Sequence, residues 1–271
     1  MGRLRRSRNE REEVAVITNE WVEANCMYLT ERDHEILRLL QRFPLMNSRH
    51  VYELVDGFYH ISRGQQRCND RLRMLFDLHC INKHSPLLPP GSGTSPQYVW
   101  LDRAGAKLLG MEKFRRRKEL PQDYLHSSKV MDVYCSFVRM KREGLLEIKY
   151  ESVEEKAKTW PLIPDLFYII RMNKKGYIFL IEVDRSEKKE KEELEKIQSY
   201  RDWQLSNQWL QEEWAKIMPT PRFPRIIYAF DEDKSKWKGR AKRFQRAADT
   251  MGLRLSTCGL SELENVIKGL V

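Results

Sequence analysis

Trp160-Pro161-Leu162-Ile163-Pro164-Asp165-Leu166-Phe167-Tyr168-Ile169-Ile170, followed by Tyr177-Ile178-Phe179-Leu180-Ile181-Glu182-Val183-Asp184-Arg185, decides the reading of this chain. Two apolar runs of strand length flank Arg171-Met172-Asn173-Lys174-Lys175-Gly176, which reads as a hairpin turn. Side chains alternate faces along a strand. Ile178, Leu180, Glu182 and Asp184 therefore share one face, and Ile181 and Val183 take the other. Asp165 opens the first strand and can lie beside the end of the second, which gathers three carboxylates at one sheet edge. Strands this apolar are buried, so acids at their ends need a cation, a proton or hydrogen-bond donors.

The flanking elements extend this hairpin into a domain. A helix near 125–142 carries Val130, Val133 and Phe137 on one side, and Leu145–Tyr150 reads as a strand. Beyond the hairpin come a long helix over about 186–215, a strand at 225–230, a basic helix over 234–251, a strand at 253–257 and a helix at 260–270. The order α-β-β-β-α-β-α-β resembles a restriction-endonuclease-like core. Pro164-Asp165 and Glu182-Val183-Asp184 resemble the PD-(D/E)xK signature of that superfamily. The resemblance implies a divalent cation, Mg or Mn, held by Asp165, Glu182 and Asp184. That cation polarises a phosphodiester and activates water, while a lysine stabilises the developing charge. Here Asp184 stands where the lysine belongs. Either a lysine of the next helix replaces it (Lys188, Lys189 or Lys196), or catalysis is lost, or Asp184 is a structural ion-pair partner. Lys196 and Tyr200 are one helical turn apart and can both face the acids.

Upstream, Thr30-Glu31-Arg32-Asp33 is a helix-start pattern with Asp in place of Glu or Gln. Ile36, Leu37, Leu39 and Leu40 follow as an apolar face. Asn47-Ser48 caps a short second helix. A third helix over about 63–78 buries Cys68, Leu72 and Leu75 and turns Gln66, Asp70 and Arg73 outward. A strand at Cys80–Lys83, a Pro/Gly-rich loop at Pro89–Pro96 and a strand at Tyr98–Leu101 complete the order of a winged helix-turn-helix. In that fold the third helix enters the major groove of duplex DNA. Ser48, Arg49, Arg63, Gln65, Gln66, Arg67, Asn69, Arg71 and Arg73 are the candidate DNA contacts, because Arg suits guanine or phosphate and Asn or Gln suits adenine. The whole reads as α+β, with a winged helix ahead of an α/β nuclease-like domain. Residues 1–27 form a basic, mobile arm, 28–111 the winged helix, 112–122 a charged linker and 123–271 the nuclease-like domain.

Charge agrees with a polyanion partner. The net charge is +10, of which 21 Lys+Arg minus 14 Asp+Glu leaves +7 on residues 1–118. Five scattered cysteines read as reduced thiols of a cytoplasmic protein. No apolar run has membrane-spanning length, and no signal-peptide core follows the basic start.

Leu29–Leu40 (Leu-Thr-Glu-Arg-Asp-His-Glu-Ile-Leu-Arg-Leu-Leu), Tyr98–Gly110, His126, Pro164-Asp165 and Phe179–Ser186 together resemble the replication-relaxation family of bacterial plasmids and other mobile elements. That resemblance implies a DNA-binding accessory role in plasmid replication and DNA relaxation, with double-stranded DNA and replication or relaxation proteins as partners. It leaves a homodimer open. On this reading the nuclease-like domain is non-catalytic or weakly catalytic. The rivals are a metal-dependent endonuclease or nickase and a transcriptional regulator whose C-terminal domain assembles subunits. His126 reads as a core-edge histidine.

Overall fold

The structure, a computed structural model, describes Arg11 and residues 14–87, 95–185, 190–234 and 236–269. The chain divides into two compact units, residues 1–131 and 132–271, and the division falls within a helix. The tip of the Pro/Gly-rich loop (88–94), the arginines at 3, 5, 6 and 8, and Lys188 and Lys189 lie outside the described residues.

The first unit runs α1 (Asn19–Cys26), α2 (Glu31–Arg42), β1 (Met46–Asn47), α3 (Ser48–Leu54), α4 (Gly64–Asp77), β2 (Ile81–His84), β3 (Tyr98–Leu101) and α5 (Arg103–Leu108), and holds the first turns of α6 (Tyr124–Arg142). Its strands pair antiparallel in the order β1-β3-β2. Local chemistry starts α2 and α3. The Asp33 carboxylate accepts the Thr30 N–H and hydroxyl, both at 2.7 Å, which closes the first turn of α2. The Asn47 side chain accepts the N–H groups of Arg49 and His50, both at 3.0 Å, which starts α3. Ile36 and Leu37 of α2 and Cys68, Leu72 and Leu75 of α4 are wholly buried, so the 3.6-residue period of the sequence is the period of burial. Gly105 lets α5 approach β2, because a Cβ there would stand 2.2 Å from the Cys80 carbonyl oxygen.

Two features correct the reading of residues 1–27 as an arm. α1 is a helix, capped by the Thr18 hydroxyl and burying Val22 and Cys26. It is too short to carry a periodic signal, and tertiary contacts hold it. The Cys26 and Cys80 sulfurs lie 3.9 Å apart, and Trp21 meets His79 edge-on at 5.7 Å. Arg11 also belongs to the fold. It donates to the carbonyls of Phe76 at 2.6 Å and Ile81 at 2.9 Å, and it pairs with buried Asp102.

The second unit contains the rest of α6, then β4 (Glu147–Val153), β5 (Leu166–Met172), β6 (Lys175–Asp184), α7 (Glu190–Ser206), α8 (Glu213–Lys216), β7 (Arg225–Phe230), α9 (Trp237–Met251), β8 (Leu255–Gly259) and α10 (Leu263–Gly269). The five strands lie in the order β4-β5-β6-β7-β8, antiparallel through β6 and parallel from β6 to β8. All of β5 but Arg171 and the run Ile178–Val183 of β6 are buried, because both faces are covered there. Phe167, Ile169, Ile178 and Leu180 join a cluster with Ile197, Tyr200 and Phe244 on one face. On the other, Tyr168 stacks on Phe137 of α6 at 3.9 Å with planes 8° apart.

The hairpin turn is tighter than the six residues read from sequence. Pairing continues to Met172–Lys175, and Asn173 and Lys174 alone turn the chain, with φ of 50° and 63°. The long helix expected over 186–215 ends at Ser206. Asn207 takes φ 55°, and a 3-10 turn (Gln208–Gln211) leads to α8. On one continuous helix Trp209 and Trp214 would point about 140° apart. The break lets both bury and stack, with centroids at 6.2 Å and planes 11° apart.

Candidate functional site

The register of the hairpin builds an acid site in the second unit. Leu166 pairs with Ile181, so the preceding Asp165 falls beside Glu182. Asp165 accepts the backbone N–H of Val183 at 2.6 Å. Glu182 is 2% exposed and lies on the face covered by α7. From α7, Lys196 donates to Glu182 Oε2 at 2.8 Å, and Tyr200, one turn further, donates its hydroxyl to Glu182 Oε1. On the neighbouring strand, Tyr228 pairs in register with Glu182. The site thus draws on β5, β6, β7 and α7.

Its electrostatics follow from burial. Desolvation raises the Glu182 carboxyl above the usual range, with the charge of Asp165 adding to it, while Lys196 and the Tyr200 hydroxyl act in the opposite sense without cancelling it. Burial and the Glu182 charge push the Tyr200 phenol well above its ordinary value, so it is a donor at neutral pH. The same holds for Tyr228.

Asp184 is engaged differently. It accepts from Arg240 of α9 at 2.8 Å, and Arg240 also donates to buried Glu193 of α7 at 2.6 Å. Arg185, the adjacent base, goes to Asp231 at 2.6 Å. Asp184 therefore joins an interhelical ion-pair network, while Lys196 reaches the acids from the next element. The oxygen donors of Asp165 and Glu182 suit a hard divalent cation, and burial of Glu182 beside a second acid is the electrostatic setting in which such an ion is favoured. Glu154 was not singled out from sequence. Its carboxylate has an oxygen within 4.8 Å of one on Asp165, and its N–H donates to the Asp165 carbonyl at 3.0 Å. The signal was strand length, since β4 runs on to Val153 and places residue 154 opposite residue 165.

In the first unit, Arg63, which precedes α4, and Gln66, Arg67, Asn69, Asp70 and Arg73 of α4 are exposed. Gln65 bonds Asn69 at 3.3 Å and Gln66 bonds Asp70 at 3.0 Å along the exposed surface. Arg49 is exposed and paired with Glu53 at 2.7 Å. Ser48 is half-buried at the start of α3, and its N–H donates to the Gln97 carbonyl at 2.8 Å. Arg71 stands apart from this set. It forks onto wholly buried Asp33, with Nε at 2.8 Å from Oδ1 and Nη2 on Oδ2. Burial opposes ionisation of Asp33, yet Arg71 and the Thr30 donors hold its carboxyl below the usual range. Arg71 is thus a strut between α2 and α4. His126, in the first turn of α6, is half-buried.

Among the described residues no helix is long and apolar enough to cross a membrane. A family profile described as replication-relaxation matches residues 37–214. No curated protein matches the chain. The solved structure of restriction endonuclease FokI bound to DNA is similar at a TM-score of 0.33 and 10% identity, covering 94% of this chain and 46% of that one. The chain thus spans about half the length of that protein.

Proposed function

The chain belongs to the replication-relaxation family, and from that premise we propose that it is a DNA-acting protein whose second unit carries a divalent-metal phosphodiester site. The observation that carries this reading is the 2.8 Å contact between Lys196 and Glu182 beside Asp165. The ammonium that the PD-(D/E)xK pattern places two residues after the glutamate is supplied here from α7. The strand order, three antiparallel strands leading into a parallel pair, supports a nuclease-like core.

In this mechanism Asp165 and Glu182 would hold the cation, with Glu154 as a neighbouring acid. When bound, the cation supplies an activated water and neutralises phosphate charge. Tyr200 fixes the Glu182 carboxylate by a hydrogen bond. Lys196 stabilises the charge that develops on the phosphate oxygens. The first unit brings the duplex. Its order α2-β1-α3-α4-β2-β3 supports a winged helix, with α4 in the major groove and Arg63, Gln66, Arg67, Asn69 and Arg73 facing bases and phosphates.

Supercoiled plasmid incubated with the full chain and Mn2+ or Mg2+ tests the reading. The wild type produces open circles only with metal, and Asp165→Asn, Glu182→Gln and Lys196→Met each lower the rate by roughly 100-fold or more. No metal-dependent nicking by the wild type overturns it. A second reading is a DNA-binding accessory protein without cleavage. The Asp184–Arg240 pair favours it, because the third motif position carries an acid held in an ion pair where the pattern has an ammonium. It predicts duplex binding that is indifferent to metal.

A further inference from the structure

We propose that Tyr228 is a positioning residue for Lys196, whose aromatic ring seats the ammonium independently of Glu182. The proposal deepens the phosphodiester-site reading and rests on it for its catalytic meaning.

Among the described residues Lys196 has two partners. One is Glu182, at 2.8 Å. The other is the ring of Tyr228, whose centroid lies 5.3 Å from Nζ. That distance is within the range of an attractive cation–π contact, which strengthens as the ammonium loses water. The two partners are adjacent because β6 and β7 run parallel with Glu182 and Tyr228 in register, so both project towards α7. Tyr228 is 1% exposed and is itself fixed by Phe244, with centroids at 4.6 Å.

The phenol hydroxyl of Tyr228 has no hydrogen-bond partner among the described residues, although it is buried. A buried hydroxyl left without a partner is destabilising. Packing against Phe230 and Phe244 needs only a ring. The ring under Lys196 is thus the part of the residue that has a partner.

This second seat matters because the first is shared. Glu182 cannot give the same oxygens to a divalent cation and to Lys196 with undiminished strength. A lysine released from its carboxylate regains a long, flexible side chain, and Lys196 is already 26% exposed. The Tyr228 ring restrains it above the site, where a phosphate oxygen would meet it. The seat is uncharged, so it leaves the ammonium available to an anion.

The experiment uses the full chain carrying 13C- and 15N-labelled lysine, with the Lys196 signals assigned by their loss in Lys196→Arg. The side-chain protons next to Nζ are expected to show a ring-current displacement in the wild type and in Tyr228→Phe, and to lose it in Tyr228→Leu. In Glu182→Gln, where the carboxylate charge is gone, the displacement persists. Its disappearance in Glu182→Gln overturns the proposal, as does its absence from the wild type. Should Tyr228→Leu fail to fold, the Glu182→Gln comparison still decides. Nicking separates this inference from the reading beneath it. With metal-dependent nicking present, Tyr228→Leu lowers kcat about 5- to 30-fold with KM little changed, and Tyr228→Phe restores it. With no nicking by the wild type but the ring-current displacement intact, the phosphodiester reading falls and the seat stands.

Discussion

Replacing Arg71 with alanine separates a strut from a DNA contact. Asp33 is wholly buried and accepts four hydrogen bonds, from the Thr30 N–H, the Thr30 hydroxyl and two arms of the Arg71 guanidinium. Removing one partner of a buried ion pair costs about 3–5 kcal/mol when nothing replaces it. Here the two Thr30 bonds remain, and the Arg71 side chain is 30% exposed, so water reaches part of the gap. The cost is therefore about 2–3 kcal/mol, or a roughly 30- to 150-fold rise in opening of the α2–α4 contact. Hydrogen exchange on α2 and α4 peptides of the full chain reads this directly. The pH dependence has a definite sign. The folded Asp33 carboxyl is held below its unfolded value of about 3.9, so it contributes stability above that pH and loses it as pH falls through the folded value. Without Arg71 the folded value rises, and protection in acid fails at a higher pH than in the wild type. Unchanged exchange in α2 and α4, together with weakened duplex binding, would refute the strut and return Arg71 to the DNA-facing set.

The exposed face of α4 gives the complementary expectation. Arg67→Ala with Arg73→Ala leaves exchange in α2 intact, and the salt dependence of duplex binding becomes shallower by about 0.9 for each phosphate that is no longer neutralised; an unaltered slope removes α4 from the interface. At the acid site, the Glu182 carboxyl is raised above its unfolded value of about 4.3, so apo stability from this group is greatest below that value and is lost as pH rises through the folded one. At pH values where the carboxyl is protonated, Mn2+ competes with that proton, so affinity rises with pH and binding releases a proton, measurable by titration calorimetry in buffers of different ionisation enthalpy. In Lys196→Met the rise moves to higher pH, because an ammonium that favours the carboxylate is gone. An affinity independent of pH across this range would remove Glu182 from the metal site.

What could be read from the residues alone was the local part of the molecule. The alternation in Ile178-Phe179-Leu180-Ile181-Glu182 placed Glu182 on the face it occupies, and Thr30-Glu31-Arg32-Asp33 marked the start of α2. The helical spacing of Lys196 and Tyr200 put both within reach of one carboxylate. Partners distant in sequence were not legible. A residue's type states its charge but not its counter-ion. Nothing in Arg71 indicates an aspartate 38 residues earlier, and nothing in Asp184 indicates Arg240, 56 residues later. Boundaries failed where tertiary packing overrode pattern. The polar α1 is ordered through Cys26 and Trp21, and the helix after Ser206 breaks so that two tryptophans can share one core.

On the proposed phosphodiester reading, the residue that departs from the nuclease pattern has a place in the site. Asp184 holds Arg240, and Arg240 holds Glu193. Glu193 is one turn ahead of Lys196 on α7, so the two side chains leave neighbouring positions of the same helix surface. The network therefore fixes the height and rotation of α7 at the point where it presents Lys196 to Glu182. A lysine at position 184 would project from the strand itself and would need no such brace. A lysine supplied by a helix does, because a small rotation of α7 would carry the ammonium away from the acids. Removing the Asp184 charge is thus felt at the site through the placement of α7, and the same helix accounts for Tyr200, whose hydroxyl shares Glu182 with Lys196. On that reading the aspartate in place of lysine and the lysine on the following helix are two parts of one arrangement, in which the strand anchors the helix and the helix delivers the ammonium.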